Sequence, residues 1–336
     1  MAEDYVKLGH GSGGTLTHRL IEDTLLKAFT SPLLAPLPDS ACIEVDAGVV
    51  AFTTDSYVVD PIFFPGGDIG RLAVYGTVND LAVVGALPRY VSCALIIEEG
   101  LPMADLNAVL ASMAEAAEAA SVQVVTGDTK VVPRGKADRL FINTAGLGVV
   151  PDGAPVPYGH PAPGDVIIVS GPLGDHGAAV LARREGLNIE GSVESDCAPL
   201  TDVAQAVLGA ARRVTFMRDL TRGGLATVLN EAVSRGGVGV VLDEVAVPVR
   251  EQVRSICELL GLDPLYLACE GRLAAAVDAE SADRVVAALH DLPAAAGSRI
   301  VGEVTDRYGG QVVLKTGLGT HRLLTMLSGE QLPRIC

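Results

Sequence analysis

The chain has 336 residues, 49% of them hydrophobic but only 4% aromatic and none Trp, so its cores are aliphatic, and its length points to two domains. A formal net charge of −16 sets the surface against nucleic acid and anionic membranes. No apolar run reaches the roughly 18–20 residues that span a bilayer, and the polar, acidic start MAEDYVKLGHGSGG is neither a secretory leader nor a transit peptide, so a cytoplasmic location is expected.

The first feature in chain order is GHGSGG, which matches G-x-G-x-x-G at Gly9, Gly11 and Gly14. No strand of adequate length precedes it and no βαβ unit surrounds it, so it is not a dinucleotide fingerprint. A helix is expected from Thr15 to Phe29, and a glycine loop feeding a helix N-terminus wraps phosphates with backbone N–H groups. Two short strands around a turn follow from Ser40 to Asp55. Residues 68–86 carry apolar residues at helical spacing and stop before Pro88. YVSCALIIEE reads as a strand, MADLNAVLASMAEAAEAA as an Ala-rich helix, and VQVVTGD and LFINTAGLGVV as strands. The segment PDGAPVPYGHPAPGD, residues 151–165, is a Pro- and Gly-rich connector.

The second half repeats the alternation. VIIVSG is a strand, 177–185 a helix and RVTFMRD a strand; GGLATVLNEAVSRGG is a helix and VGVVLDEV a strand. Helices at 249–260 and 281–292 interleave with strands at 272–277 and 300–304, and QVVLK is the last strand. The expected fold class is therefore α+β, with domains at 1–150 and 165–325. After Leu327 the stretch SGEQLPRIC has no pattern, so 326–336 is expected to be a mobile tail carrying Cys336.

Six cysteines, Cys42, Cys93, Cys197, Cys257, Cys269 and Cys336, include no C-x-x-C pair, which fits a reducing compartment and excludes a zinc ribbon. Acidic residues instead recur at the ends of predicted elements: Asp39, Asp55, Asp80 beside Asn79, Asp128 and Asp219. An aspartate within YGTVNDLAVVGA is costly to bury unpaired. Several such residues near glycines are explained as magnesium ligands around a polyphosphate, which also answers how so acidic a chain would tolerate a nucleotide. There is no Walker A loop.

The segments TTD, VNDLAVVGALP, GDTKV and DLTRGGL, in that order, resemble the superfamily of aminoimidazole ribonucleotide synthetase, selenophosphate synthetase and thiamine monophosphate kinase. HGSGG, FTTDSYVVDPIFFPGGDIG, CEGR and the final PRIC are most similar to the HypE family of hydrogenase maturation proteins. The resemblance implies a homodimer formed through a β-sheet or barrel-like surface of the first domain, with ATP and Mg2+ bound near it. It implies Asp39, Asp55, Asp80, Asp128 and Asp219 as metal ligands. It places Asn79, Gly127, Thr129 and the loop Gly11, Ser12, Gly13 and Gly14 near the nucleotide. It also implies that Cys336 carries a carbamoyl group placed there by the carbamoyltransferase HypF, that ATP drives its dehydration to a thiocyanate, and that the cyano group passes to iron in a HypC–HypD complex.

That chemistry requires a proton acceptor. Candidates are Glu270 in ACEGR, where burial raises a carboxyl pKa, then Lys130 beside Asp128, then His10 on the glycine loop; His176 reads as part of a second glycine turn. Two other readings remain: a phosphotransferase acting on a free small molecule, and a non-enzymatic nucleotide-binding scaffold.

Overall fold

The computed structural model describes residues 14–20, 22, 41–45, 48–152, 154, 157, 159–187, 191, 193–234, 237–327 and 334–336. The loop residues His10 to Gly13 and Asp39 lie outside these, as does most of 21–29; within that expected helix, Thr15–Leu20 (α1) is helical.

The first half builds a five-stranded sheet in the order β1-β2-β7-β5-β6. These strands are β1 (Ala41–Val45), β2 (Gly48–Tyr57), β5 (Leu87–Glu98), β6 (Gln123–Val132) and β7 (Leu140–Val150), with a short pair β3 (Phe63–Phe64) and β4 (Gly67–Asp68) alongside. Neighbours run antiparallel except β5 and β6, whose parallel pairing requires a crossover; helix α3 (Met103–Ala119) provides it. Helix α2 (Ile69–Val83) starts where the Asp68 carboxylate accepts the N–H groups of Gly70 and Arg71 at 2.7 and 3.2 Å. Its apolar run packs with Tyr57, Val91, Leu140 and Ile142 into one core. The other face of the sheet leaves Phe52, Tyr90 and Ile96 exposed. Pro88 falls inside β5 rather than before it, at a register shift between Pro88 and Tyr90, as a residue without an N–H requires in a ladder.

The second half builds a seven-stranded sheet, β14-β13-β10-β12-β8-β11-β9. Its strands are β8 (Asp165–Val169), β9 (Val214–Asp219), β10 (Gly239–Asp243), β11 (Leu273–Asp278), β12 (Arg299–Thr305), β13 (Val312–Lys315) and β14 (His321–Leu324). Helices α4 (Asp175–Arg184), α5 (Thr201–Ala210), α6 (Gly224–Val233), α7 (Glu251–Leu260) and α8 (Ala282–His290) surround it. The elements α5 and β14 were not among those expected. In α5 the signal is the spacing of Val203, Ala204 and Val207, all buried against Leu289 of α8. The same cluster takes in Ala82 and Val83 from the end of α2, so the two halves share a core at this seam. No helix among the described residues is long and apolar enough to cross a membrane.

Candidate functional site

Residues 334–336 lie antiparallel to the three residues that continue β2. The Val58 N–H donates to a main-chain carboxylate oxygen of Cys336 at 3.1 Å and the Asp60 N–H to the Arg334 carbonyl at 3.2 Å. Arg184, at the end of α4, donates through Nη2 to both the Arg334 and Asp60 carbonyls at 2.7 and 2.5 Å, and through Nε to Asp60 at 2.9 Å. Arg334 itself donates from Nε to the Val58 carbonyl at 2.8 Å, pairs with Asp138 and covers the Phe141 ring at 5.8 Å. Ile335 and Cys336 are 3% and 6% exposed and belong to the core of the first half, together with Val180 of α4.

This inward position brings Cys336 to the carboxylates. Burial pushes its thiol up to about 12; Glu270, Asp55 and Asp219 add to the rise while the Arg222 guanidinium opposes it. Asp219 ends β9 and is buried. The chain then turns through Gly223, at φ +79°, where a Cβ would lie 2.2 Å from the Thr227 hydroxyl; this turn carries Arg222 between Asp219 and the start of α6.

Glu270 is 2% exposed and its Oε1 has no hydrogen-bond partner. Burial lifts its carboxyl well above the usual range, with Asp219, Asp196 and Asp55 adding to the rise and Arg222 opposing it. Asp55 is also raised, chiefly by burial, against the pull of Arg222 and of the Ser56 N–H bonded to its Oδ1 at 2.7 Å. Asp80 accepts the Thr53 hydroxyl at 2.8 Å. The phenol of Tyr57 is raised by burial and then by the charges of Asp55 and Asp80, which places both aspartates around one ring.

Asp128 and Lys130 are elsewhere. Both are exposed on the edge strand β6, where Lys130 Nζ bonds the two Asp128 oxygens at 2.7 and 2.6 Å and holds that carboxyl below its ordinary value. Thr129 between them is exposed. Gly127 serves the sheet, since a Cβ there would lie 2.1 Å from the Cys93 carbonyl of β5. Gly14 packs on Leu327, whose carbonyl accepts the Thr15 N–H at 2.9 Å and a Cβ at Gly14 would meet at 2.2 Å.

Asn79, expected near the nucleotide, is fully engaged within the protein. Its Nδ2 donates to the Ala198 and Glu270 carbonyls, both at 3.1 Å, and its Oδ1 accepts the Leu200 N–H at 2.8 Å. It ties α2 to the loop carrying Glu270. No three His, Cys, Asp or Glu side chains among the described residues converge closely enough to hold a metal ion.

His176, read as part of a glycine turn, is fully buried on α4 and bonds the Ile335 carbonyl from Nε2 at 2.7 Å. Arg222, Arg184 and Asp196 were also passed over. Arg222 sat in view inside DLTRGGL; the other two show their roles only once residues far along the chain are brought together.

Models of AIR synthase related proteins match this chain twice: the N-terminal domain over residues 38–150 and the C-terminal domain over 162–315. The carbamoyl dehydratase HypE of Rhodobacter capsulatus is 49% identical over 339 residues, covering 100% of this chain and 99% of that protein. Among solved structures, a HypE in complex with ATP is 49% identical with a TM-score of 0.81, covering 97% of this chain and 98% of that one. The HypE of a HypE–HypF complex is 42% identical with a TM-score of 0.87, covering 92% and 99%. The chain belongs to the HypE family of carbamoyl dehydratases, within the AIR synthase related proteins.

Proposed function

We propose that this chain dehydrates a carbamoyl group carried on its own Cys336, using ATP, to give the thiocyanate that supplies the cyanide ligand of iron in nickel–iron hydrogenase. The observation that carries the reading is the burial of Cys336 beside Glu270, Asp55 and Asp219, with residues 334–336 held by hydrogen bonds from both halves of the fold. A phosphotransferase acting on a free small molecule has no use for that arrangement.

The reaction balances as S–C(=O)NH2 plus ATP giving S–C≡N, ADP and phosphate. The carbamoyl oxygen takes the γ-phosphoryl group as the nitrogen gives up one proton. Loss of the second proton expels phosphate and leaves the triple bond. Glu270 accepts a proton: burial makes its carboxylate basic, while Arg222 pulls the other way and keeps the ionised form accessible. Lys130 and His10 are the remaining candidates.

No three carboxylates among the described residues lie close enough to hold a cation by themselves, so magnesium would be held jointly by these side chains and the phosphates of the nucleotide. Glu270 leaves a buried oxygen without a partner, and the carboxylates around Cys336 exceed the charge of Arg222. Asp55, Asp80 and Asp219 would hold the metal, with Asp39 as a further ligand, and the ion would supply charge to offset that developing on the phosphates.

The tail works in two positions. Inside, the thiol is buried and protonated, so it accepts a carbamoyl group only when outside. A tether of about nine residues extends at most about 30 Å, enough to swing between an external carbamoyltransferase and this site. HypF is that donor and a HypC–HypD complex the acceptor of the cyano group. The exposed apolar residues on one face of the five-stranded sheet, Phe52, Tyr90 and Ile96, support a homodimer through that face. Cys93, Cys197, Cys257, Cys269 and Cys336 are free, as a thiol substrate in the reducing cytoplasm requires.

Mass spectrometry of the C-terminal peptide tests the reading. With the carbamoyltransferase and carbamoyl phosphate the peptide should gain one carbamoyl group, and with ATP and magnesium it should then lose one water. An adduct on another cysteine, or one that persists in Cys336→Ala, overturns it.

A further inference from the structure

Three side chains on one face of α4 match the docked tail group by group. His176, Val180 and Arg184 are spaced i, i+4, i+8 and so lie in a row. His176 Nε2 meets the Ile335 carbonyl at 2.7 Å, Val180 packs in the same cluster as Ile335 and Cys336, and Arg184 Nη2 meets the Arg334 carbonyl at 2.7 Å. The row reads donor, apolar, donor against carbonyl, side chain, carbonyl.

We infer that His176 is a positioning residue for the dehydration: it fixes the peptide plane between Ile335 and Cys336 and thereby the direction in which the Cys336 side chain, and the group it carries, enters the carboxylate cluster. The inference rests on the proposed reaction at Cys336.

The hydrogen bonds define the ring's state. A carbonyl oxygen only accepts, so Nε2 carries the proton. The imidazole is fully buried, and burial lowers its pKa, favouring the neutral form. In that form Nδ1 is an acceptor and takes the hydroxyl proton of Ser195 at 2.8 Å, while Ser195 Oγ in turn accepts the Cys197 N–H at 3.1 Å. Phe64 closes one side edge-on, with ring centroids 5.3 Å apart. With the tail docked the ring therefore has one orientation and one tautomer, and Ser195 and Phe64 hold its plane in place independently of the tail. A solvated side chain making the same bond would have to be ordered each time the tail returned, and that entropy would be lost from the dehydration step. Arg184 secures the preceding carbonyl, but from a half-buried position and through a longer side chain.

The test separates the two positions of the tail. Transfer of the carbamoyl group to Cys336 takes place outside and does not use His176; dehydration takes place inside and does. Protein loaded on Cys336 by the carbamoyltransferase is mixed with saturating ATP and magnesium, and conversion of the C-terminal peptide is followed by mass in a single turnover. His176→Leu should load at least as fast as wild type, since the docked tail loses a donor, and dehydrate about tenfold or more slowly, the effect of leaving one buried carbonyl unpaired. His176→Gln, which keeps a donor near the Nε2 position, should recover most of that loss. Ser195→Ala, which frees the ring, should dehydrate several-fold more slowly with loading no slower than in wild type. A folded His176→Leu that dehydrates within about twofold of wild type overturns the inference. If that variant fails to fold, Ser195→Ala decides: dehydration at the wild-type rate overturns it equally. Absence of any adduct on Cys336 in the wild type defeats the underlying reading instead, and the loading step reveals that separately.

Discussion

The Nε2 of His176 lies 2.7 Å from the carbonyl oxygen of Ile335, 159 positions further along the chain. Through this bond and that of Arg184, a helix of the second half grips a segment that also pairs with Val58 and Asp60 of the first. The docked tail therefore joins the two halves, and Cys336 enters the site along their seam.

Asn79 joins the halves independently of the tail. Replacing it with Ala would leave the Leu200 N–H and the carbonyls of Ala198 and Glu270 without its hydrogen bonds, at a cost of about 3 kcal/mol. Asn79→Asp should be no better, since it sets a carboxylate against two carbonyl oxygens. Denaturant unfolding should show this loss, while the nucleotide affinity of the folded fraction changes less. A variant of wild-type stability that has lost ATP would return Asn79 to the nucleotide site.

The elements were legible where their causes are local. Asp68, the apolar run behind it and Pro88 define α2 within twenty-one residues of sequence. DLTRGGL announces a strand end, a turn and a helix start because its two glycines are required by the turn itself. Contacts made across the chain were not legible. Arg334 bonds Val58 over 276 positions, and nothing in SGEQLPRIC encodes that pairing. His176 between glycines reads as a turn because both groups that define it, Ser195 and Ile335, lie elsewhere. Asn79 illustrates the boundary: a polar residue in an apolar helix signals a buried hydrogen-bonding role, but the sequence does not say whether its partner is ligand or loop.

Asp175 should shape the pH dependence of stability. It is 1% exposed, its Oδ1 has no partner, and its Oδ2 lies 3.2 Å from Arg250 Nε. Burial, with the Asp196 charge, raises its carboxyl to about 6. A carboxyl whose folded pKa is raised stabilises fully below its unfolded value near 3.9, and that contribution is lost as pH rises through about 6. The loss reaches up to about 3 kcal/mol. Asp175→Asn should flatten the fall in melting temperature between about pH 4 and pH 6. An unchanged pH profile in that variant would show that Arg250 already cancels the burial cost.

The same reasoning applied to Cys336 links tail position to pH. Docking raises the thiol to about 12, against about 8.5 for a solvated cysteine. The docked position therefore holds the neutral thiol and the outward position admits the thiolate. Docking is fully favoured below about 8.5, and weakens as pH rises from there toward 12 by up to tenfold per unit. Iodoacetamide consumes thiolate, so in the nucleotide-free protein it should react with Cys336 through outward excursions. The rate should fall well below that of a peptide ending in the same residues and, unlike the rate of the peptide, should keep rising with pH above about 8.5 as the outward population grows. Arg184→Ala, which removes the donors to the Arg334 and Asp60 carbonyls, should raise that rate at pH 8 by about fivefold or more. Peptide mass mapping resolves Cys336 from the buried Cys197, Cys257 and Cys269. Reaction at the free-peptide rate in wild type, unaltered by Arg184→Ala, would mean that the tail spends most of its time outside and that its docking is too weak to govern access to the thiol.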